Sequence, residues 1–517
     1  MIADATVGLS SVVVDGDDLY WLESRPNEEG RVVLVHQRGE TVHDMTPSDY
    51  SVRSRVHEYG GGAVTVRDGT IYFVNLRDQH VYTQHEGELP NPLAEVDDDR
   101  FADIEVDRER DRIICVRERH TANGVENALV ALPMDGGEIE VLDGAHDFVS
   151  NPRLSPDGTR LCWTSWDLPD MPWDSATLWV ADVDGGGRLS QPQRVAGGGT
   201  QSVFQPEWHP DGRLIFVCDP SSGQTRVVKR ASDIALPSED LSEPEPIAFP
   251  TTGGATAHAF YYPPRNSAWE GPAGERPPLV VRGHGGPTGA SSPSLSIAIQ
   301  FWTTRGFGVL DVNYRGSTGF GRAYREALYG GWGVTDVDDM VAGAEFLVAR
   351  GDADADRLAI RGGSAGGYTT LAALAFRDTF SVGASLYGIG DLMTLARDTH
   401  KFESRYLDRL IGPLPEAEAV YRERSPVNHV DQLDCPVIFL QGSEDKVVPP
   451  NQAEDMVAAL DAKGIPVAYV LFEGEGHGFR GAANVRRALE AELAFYGRIM
   501  GFEPADDLPE LEIRNLG

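Results

Sequence analysis

Three short stretches of this chain carry side chains that could do nucleophilic chemistry together. In RLAIRGGSAGGYTTLAALAF an apolar run leads into Gly362-Gly363-Ser364-Ala365-Gly366-Gly367 and then into a good helix former. A serine held in such a strand–turn–helix bend has its hydroxyl lifted clear of the sheet, and its flanking residues must be small to avoid collision. The following helix points its N-terminal dipole at negative charge developing nearby. A glycine-rich turn with an incidental serine would satisfy the pattern alone; the position between strand and helix favours the nucleophile.

A serine hydroxyl is a weak nucleophile at neutral pH and needs a base that is itself oriented by a carboxylate. Where the serine sits on such an elbow, the chain order is serine, acid, histidine. The apolar run CPVIFLQG ends in Ser443-Glu444-Asp445, and His477 follows VAYVLF within EGEGHGF. Both fall beyond the carboxyl ends of strands, where parallel sheets place their functional loops. Spacing alone leaves Glu444 and Asp445 as competing acids. In VVRGHGGPTGA, the run His284-Gly285-Gly286-Pro287 lets backbone amides approach a substrate oxygen. The N–H groups of Gly286 and Ala365 are the candidates for an oxyanion hole.

The elements that must position these groups come in two halves. From about residue 245 apolar runs such as FGVLDVNYRG, SVGASLYG and CPVIFLQG alternate with helical stretches such as DVDDMVAGAEFLVARG and NQAEDMVAALDAKG. That alternation predicts a mostly parallel sheet wrapped by helices. Residues 8 to about 230 show instead short β-rich runs joined by tight turns, as in VVVDGDDLYWLE, VTVRDGTIYFVN, LSPDGTRLCWTSW and EWHPDGRLIFVCD, with a degenerate member in VDRERDRIICVRE. Each reads as a hairpin, and the turns recur at Asp15, Asp68, Asp111, Asp157 and Asp211. Strands that follow one another without helices predict a propeller-like β array over an irregular sandwich. The stretch ASDIALPSEDLSEPEPIAFP, rich in Pro, Ser and acid, marks the boundary. We therefore expect a propeller-like domain over 1–240 and an α/β-hydrolase domain over 241–517.

Composition narrows the function. At 517 residues the chain exceeds the roughly 250–300 residues of one ordinary core. With 80 acidic against 45 basic residues, its net charge of −35 would repel phosphate, which argues against a nucleic-acid or anionic-membrane partner. The first residues lack a secretory pattern and no run approaches the ~20 apolar residues of a membrane span, so a cytoplasmic location is expected. Cys115, Cys162, Cys218 and Cys435 are scattered through apolar runs and read as buried thiols, without disulfide or metal-type spacing. No cofactor or metal is expected. A homo-oligomer is left open.

The motifs HGGP at 284–287, NYRGSTGFG at 313–321, GGSAGG at 362–367, SPVNHV at 425–430, QGSEDKVVPP at 441–450 and EGEGHGF at 473–479 together resemble the prolyl oligopeptidase family, in its acylaminoacyl-peptidase and dipeptidyl-peptidase-like branch. HEYGGG at 57–62, LSPDG at 154–158 and MPWD at 171–174 resemble the propeller segments of that branch. The resemblance implies an N-terminal β-propeller, a triad of Ser364, Asp445 and His477, and a short peptide substrate. It also places at Arg405, in KFESRYLDRLIG, an arginine that would bind a substrate carbonyl; a solvated helix arginine is the alternative. Glu58, or the pair Glu28 and Glu29, could bind a free amino group, though blade-stabilising contacts for Glu58 and a solvated turn for the pair are the favoured readings. The family's propellers usually have about seven blades, whereas five turn-strand recurrences predict fewer here.

Three functions compete: a serine peptidase acting through an acyl-enzyme, a carboxylesterase with the same triad, and a catalytically idle scaffold that binds proteins. The β-rich half favours the first, and the intact triad argues against the third. The charge balance makes its own prediction. Crowded carboxylates repel one another, and added salt shortens the screening length from about 10 Å at 0.1 M to about 3 Å at 1 M. The melting temperature should therefore rise between low and molar potassium chloride; a flat or falling trend would refute carboxylate repulsion as a limit on stability.

Overall fold

The structure is a computed structural model, which describes residues 7–94, 96–199, 202–209, 211–217 and 237–516. Two compact units result, one from Thr6–Asp233 with His400–Tyr406 and one from Ile234–Thr399 with Leu407–Gly517.

In the first unit, successive antiparallel sheets of four strands cover residues 8–44, 64–94, 99–143 and 148–197, and a two-stranded sheet covers 204–217. The five turns at Asp15, Asp68, Asp111, Asp157 and Asp211 each join the first and second strands of one sheet. They turn tightly because Gly16, Gly69, Gly158 and Gly212 adopt positive φ, while Asp111 enters the same region at φ 46°. Neighbouring sheets are clipped turn to turn. The Asp15 carboxylate accepts the N–H groups of Asp68 and Gly69 at 3.0 and 2.7 Å, and Asp68 pairs with Arg108. Arg110 donates to the Gly158 carbonyl, and Arg160 donates to that of Gly212. Among the described residues these sheets form a propeller-type β array of four four-stranded sheets and one two-stranded sheet. The stretch DPSSGQTRVVKRASD, between the last β-rich run and the boundary, and the thiol of Cys218 lie outside the described residues. Cys115 and Cys162 are buried free thiols that burial pushes up to about 12, and Cys435 is half-buried.

The second unit is built on one eight-stranded sheet. Its strands are β1 (Glu245–Pro250), β2 (Thr256–Tyr262), β3 (Leu279–Gly283), β4 (Gly308–Asn313), β5 (Leu358–Gly363), β6 (Val382–Leu386), β7 (Val437–Gly442) and β8 (Val467–Phe472), in the spatial order 1-2-4-3-5-6-7-8. Only β2 runs against the rest, pairing antiparallel with both β1 and β4, and every other pair is parallel. The parallel strands read as unbroken apolar runs because helices cover both faces; β4, β6 and β7 are buried at every position. Parallel pairing brings the carboxyl ends of β3, β5, β6, β7 and β8 to one edge of the sheet, which is where the chemical motifs begin.

One buried ion pair ties this sheet to the long helix Ala482–Met500. Arg361, on β5 beneath the serine turn, donates two hydrogen bonds to the fully buried Glu492 carboxylate at 2.8 and 2.9 Å. Removing one member leaves an uncompensated charge in a dry site. Glu492→Ala should therefore lower the unfolding free energy in urea by about 3–5 kcal/mol, and Arg361→Met with Glu492→Leu should recover most of the loss. A loss below about 1 kcal/mol for the single change would mean that water reaches Arg361 freely.

Candidate active site

Ser364 occupies the turn between β5 and the helix Ala365–Phe376, with φ 57° and ψ −122°. A non-glycine residue rarely adopts this backbone, and such positions cost about 1–3 kcal/mol unless their surroundings enforce them. Here the surroundings do. Cβ atoms at Gly362, Gly363, Gly366 and Gly367 would lie 2.3 Å from Gly366 C, 2.9 Å from the Tyr387 ring, 2.3 Å from Gly283 O and 2.7 Å from Gly388 Cα. Each glycine in GGSAGG is thus required by a close neighbour as well as by the turn.

The elbow sits directly beside the HGGP loop. A Cβ at Gly285 would come 3.6 Å from Ser364 Cβ. Gly286 has φ +126°, and a Cβ there would come 2.6 Å from Gly289 N. Ala365 is the first residue of its helix, where an N–H has no carbonyl partner within the helix. The loop is braced from below by NYRGST, a motif whose role the sequence did not reveal. Tyr314 stacks on His284 at 4.3 Å, and its hydroxyl lies 3.1 and 3.0 Å from the carbonyl oxygens of His284 and Pro287. Ser317 Oγ lies 2.7 Å from His284 Nε2. Burial holds the His284 imidazole below its usual pKa, so the ring serves as a neutral brace.

Asp445 and His477 form the second half of the site. One carboxylate oxygen of the buried Asp445 accepts the N–H groups of Val447 and Val448, both at 2.9 Å, and the other lies 2.8 Å from His477 Nδ1. A carboxylate so placed accepts a hydrogen bond from Nδ1–H, which leaves Nε2 as the nitrogen free to take a proton. Glu444, the competing acid, is exposed. Adjacent residues on a strand exit face opposite ways, which the sequence could not resolve.

The histidine loop has its own staple. The Glu475 carboxylate accepts the N–H groups of Arg480 and Gly481 and a side-chain N–H of Asn484, at 2.8–3.0 Å. A Cβ at Gly442 would come 2.4 Å from Gly476 O, so this glycine lets the loop cross β7 closely. The Tyr387 ring packs edge-on against His477 at 4.9 Å. The repeated glutamate and glycine of EGEGHGF were the available signal for this staple.

Ser364, Ala365, Gly286, Asp445 and His477 all belong to the second unit, whereas Glu58 and Arg405 belong to the first. Glu58 accepts a hydrogen bond from Arg100 at 2.7 Å, within a cluster that includes Glu118. Glu28 is paired with Arg25 and Arg31. Arg405 is exposed.

Sheet order and site geometry define an α/β-hydrolase fold with a serine at the elbow. Comparison with known proteins narrows the class. The pattern of the prolyl oligopeptidase family matches residues 293–503. A Mycobacterium tuberculosis puromycin-hydrolyzing peptidase superposes with a TM-score of 0.93 at 36% identity, covering 99% of this chain and 98% of that one. A serine-to-alanine mutant of puromycin hydrolase complexed with PGG gives 0.92 at 33% identity, over 99% and 97%. Dipeptidyl aminopeptidase BIII of Pseudoxanthomonas mexicana is 35% identical over 238 residues, 45% of this chain and 34% of that protein. The chain thus matches about a third of the length of such curated relatives. It belongs to the prolyl oligopeptidase family.

The close contacts predict two opposite outcomes for one methyl group. Gly366→Ala drives a Cβ into backbone and should destabilise the protein severely, as overpacking a rigid site does. Gly285→Ala makes only ordinary contacts, so its melting temperature should stay near that of the parent while fluorophosphonate labelling slows through crowding at Ser364. Fast labelling of Gly285→Ala would separate the loop from the serine's surroundings.

Proposed function

We propose that this chain is a serine peptidase that hydrolyses short peptides and aminoacyl amides through an acyl-enzyme on Ser364. Ser364 Oγ attacks the carbonyl carbon while His477 Nε2 takes its proton. Asp445 holds the imidazole and stabilises its charged form. The N–H groups of Gly286 and Ala365 receive the oxyanion. His477 then protonates the leaving amine, and water releases the acyl group by the reverse steps. The observation that carries this reading is the Asp445–His477 contact at 2.8 Å, on the sheet edge that also holds an elbow serine packed against the HGGP loop.

Support for an amide substrate comes from relatives that are called puromycin-hydrolyzing and dipeptidyl peptidases. Acylaminoacyl-, dipeptidyl- and aminopeptidase specificities all lie within it. The free thiols fit a reducing, cytoplasmic setting. Among the described residues no helix is long and apolar enough to cross a membrane. Arg405 and Glu58 enter the proposal as candidates for holding the substrate's carbonyl and amino groups.

The test is a panel of puromycin and of free, acylated and dipeptidyl chromogenic amides, with simple esters beside them. Amides should be turned over, and Ser364→Ala should lose about 10⁴-fold or more while remaining folded, with His477→Ala close behind. Turnover of esters alone would favour the carboxylesterase, and activity persisting in purified Ser364→Ala would remove the assignment. Arg405→Ala should weaken peptide substrates by about 1.5–3 kcal/mol more than a minimal ester. Equal effects on both would make Arg405 structural.

A further inference from the structure

The first sheet of the β unit carries a histidine that its surroundings leave unsatisfied. His36 is fully buried, and neither ring nitrogen makes a hydrogen bond. The nearest carboxylate oxygen, Asp18 Oδ1, lies 3.4 Å from Nε2, and that carboxylate is held by the Arg38 guanidinium at 2.7 and 2.6 Å. Buried polar groups are rarely orphaned in this way without a reason.

The neighbours suggest one. Tyr20, His36 and His43 stand directly opposite one another on three adjacent strands, so their side chains share a face. Tyr20 stacks on His36 at 4.4 Å with planes 8° apart, which fixes the imidazole, and His43 meets it edge-on at 5.0 Å. Glu86 arrives from the next sheet, just beyond the strand Val81–Gln84, and its Oε1 lies 3.2 Å from His43 Nε2. One donor atom each from His36, His43 and Glu86 lies within 4.8 Å of the other two. Bonds of about 2.0–2.2 Å to one ion need donors roughly 3.3 Å apart, a gap that rotation of the partly exposed His43 and Glu86 can close.

We propose that His36, His43 and Glu86 form a binding site for a divalent transition metal, zinc by preference, that joins the first two sheets of the β unit. Two imidazoles and a carboxylate are zinc-type ligands, whereas calcium and magnesium call for oxygen donors. His43 and Glu86 also line a cleft of about 340 Å³. Gln84, whose buried Oε1 also lacks a partner, lines the same cleft. The acidic surface concentrates cations around the protein. Arg38 opposes binding, with a guanidinium nitrogen 3.7 Å from Glu86, but it is largely exposed and tied to Asp18. His36 and His43 come from the two strands of one hairpin and Glu86 from the next sheet, so the full ligand set has no single spacing in sequence.

The test uses the full chain, stripped with a chelator and titrated with zinc alone or cobalt alone. One equivalent should bind at the site, the cobalt form should show the visible bands of a four-coordinate ion, and zinc should raise the melting temperature. Glu86→Gln and His43→Asn alter partly exposed side chains, so both should fold normally by circular dichroism, yet weaken zinc binding by at least about 100-fold. Three results would overturn the proposal: no stoichiometric binding at micromolar zinc, full affinity in both variants, or loss of binding in His477→Ala instead.

Discussion

The backbone of Ser364 is the constraint around which the α/β unit is arranged. A left-handed φ at a serine is held only if the strand before it, the helix after it and the loops beside it all crowd in. That crowding fixes glycine at 362, 363, 366, 367 and 388, because the helix N-terminus must touch β3 on one side and the exit of β6 on the other. The same approach sets the HGGP loop against the serine, so reactivity and oxyanion stabilisation follow from one packing requirement.

Charge is managed differently inside this unit than on its surface. Over the whole chain, 80 acidic residues stand against 45 basic ones. Inside, buried acids are matched individually: Glu492 by Arg361, Asp339 by Arg315, and Asp445 by two backbone N–H groups and a histidine. Asp336, under the serine helix, has no cationic partner among the described residues; it accepts from Thr369 Oγ1 and Gly333 N, and burial raises its pKa to about 6. Its contribution to stability is present at low pH and is lost as pH rises through that value, because the folded state then holds a buried charge.

The β unit follows another logic, in which each sheet is local and the joints are not. Its hairpins close within a few residues, so positive-φ turns and alternating strands suffice to form them. The clips between sheets, such as Asp15 to Gly69 and Arg160 to Gly212, span about fifty residues and align one turn with the next. The segment His400–Tyr406, from the other half of the sequence, packs here too, with Phe402 stacked on His57 and Tyr59 donating to Glu403 at 2.6 Å.

By itself the sequence determined what local chemistry dictates. The elbow serine needs glycines around it, parallel strands need unbroken apolar runs, and tight turns need Asp-Gly, so the two kinds of fold and the order Ser364, acid, His477 were legible. Tertiary structure decided whatever depends on which way a side chain faces or on what distant segment meets it. Asp445 and Glu444 are neighbours with equal chemistry until one is buried against Val447, Val448 and His477. Tyr314 and Ser317 became braces, Glu58 became a partner of Arg100, and His36, His43 and Glu86 became one cluster only when strands paired and sheets stacked. Periodicity records the face of an element, but contact between elements depends on register and packing, which no single stretch of sequence contains.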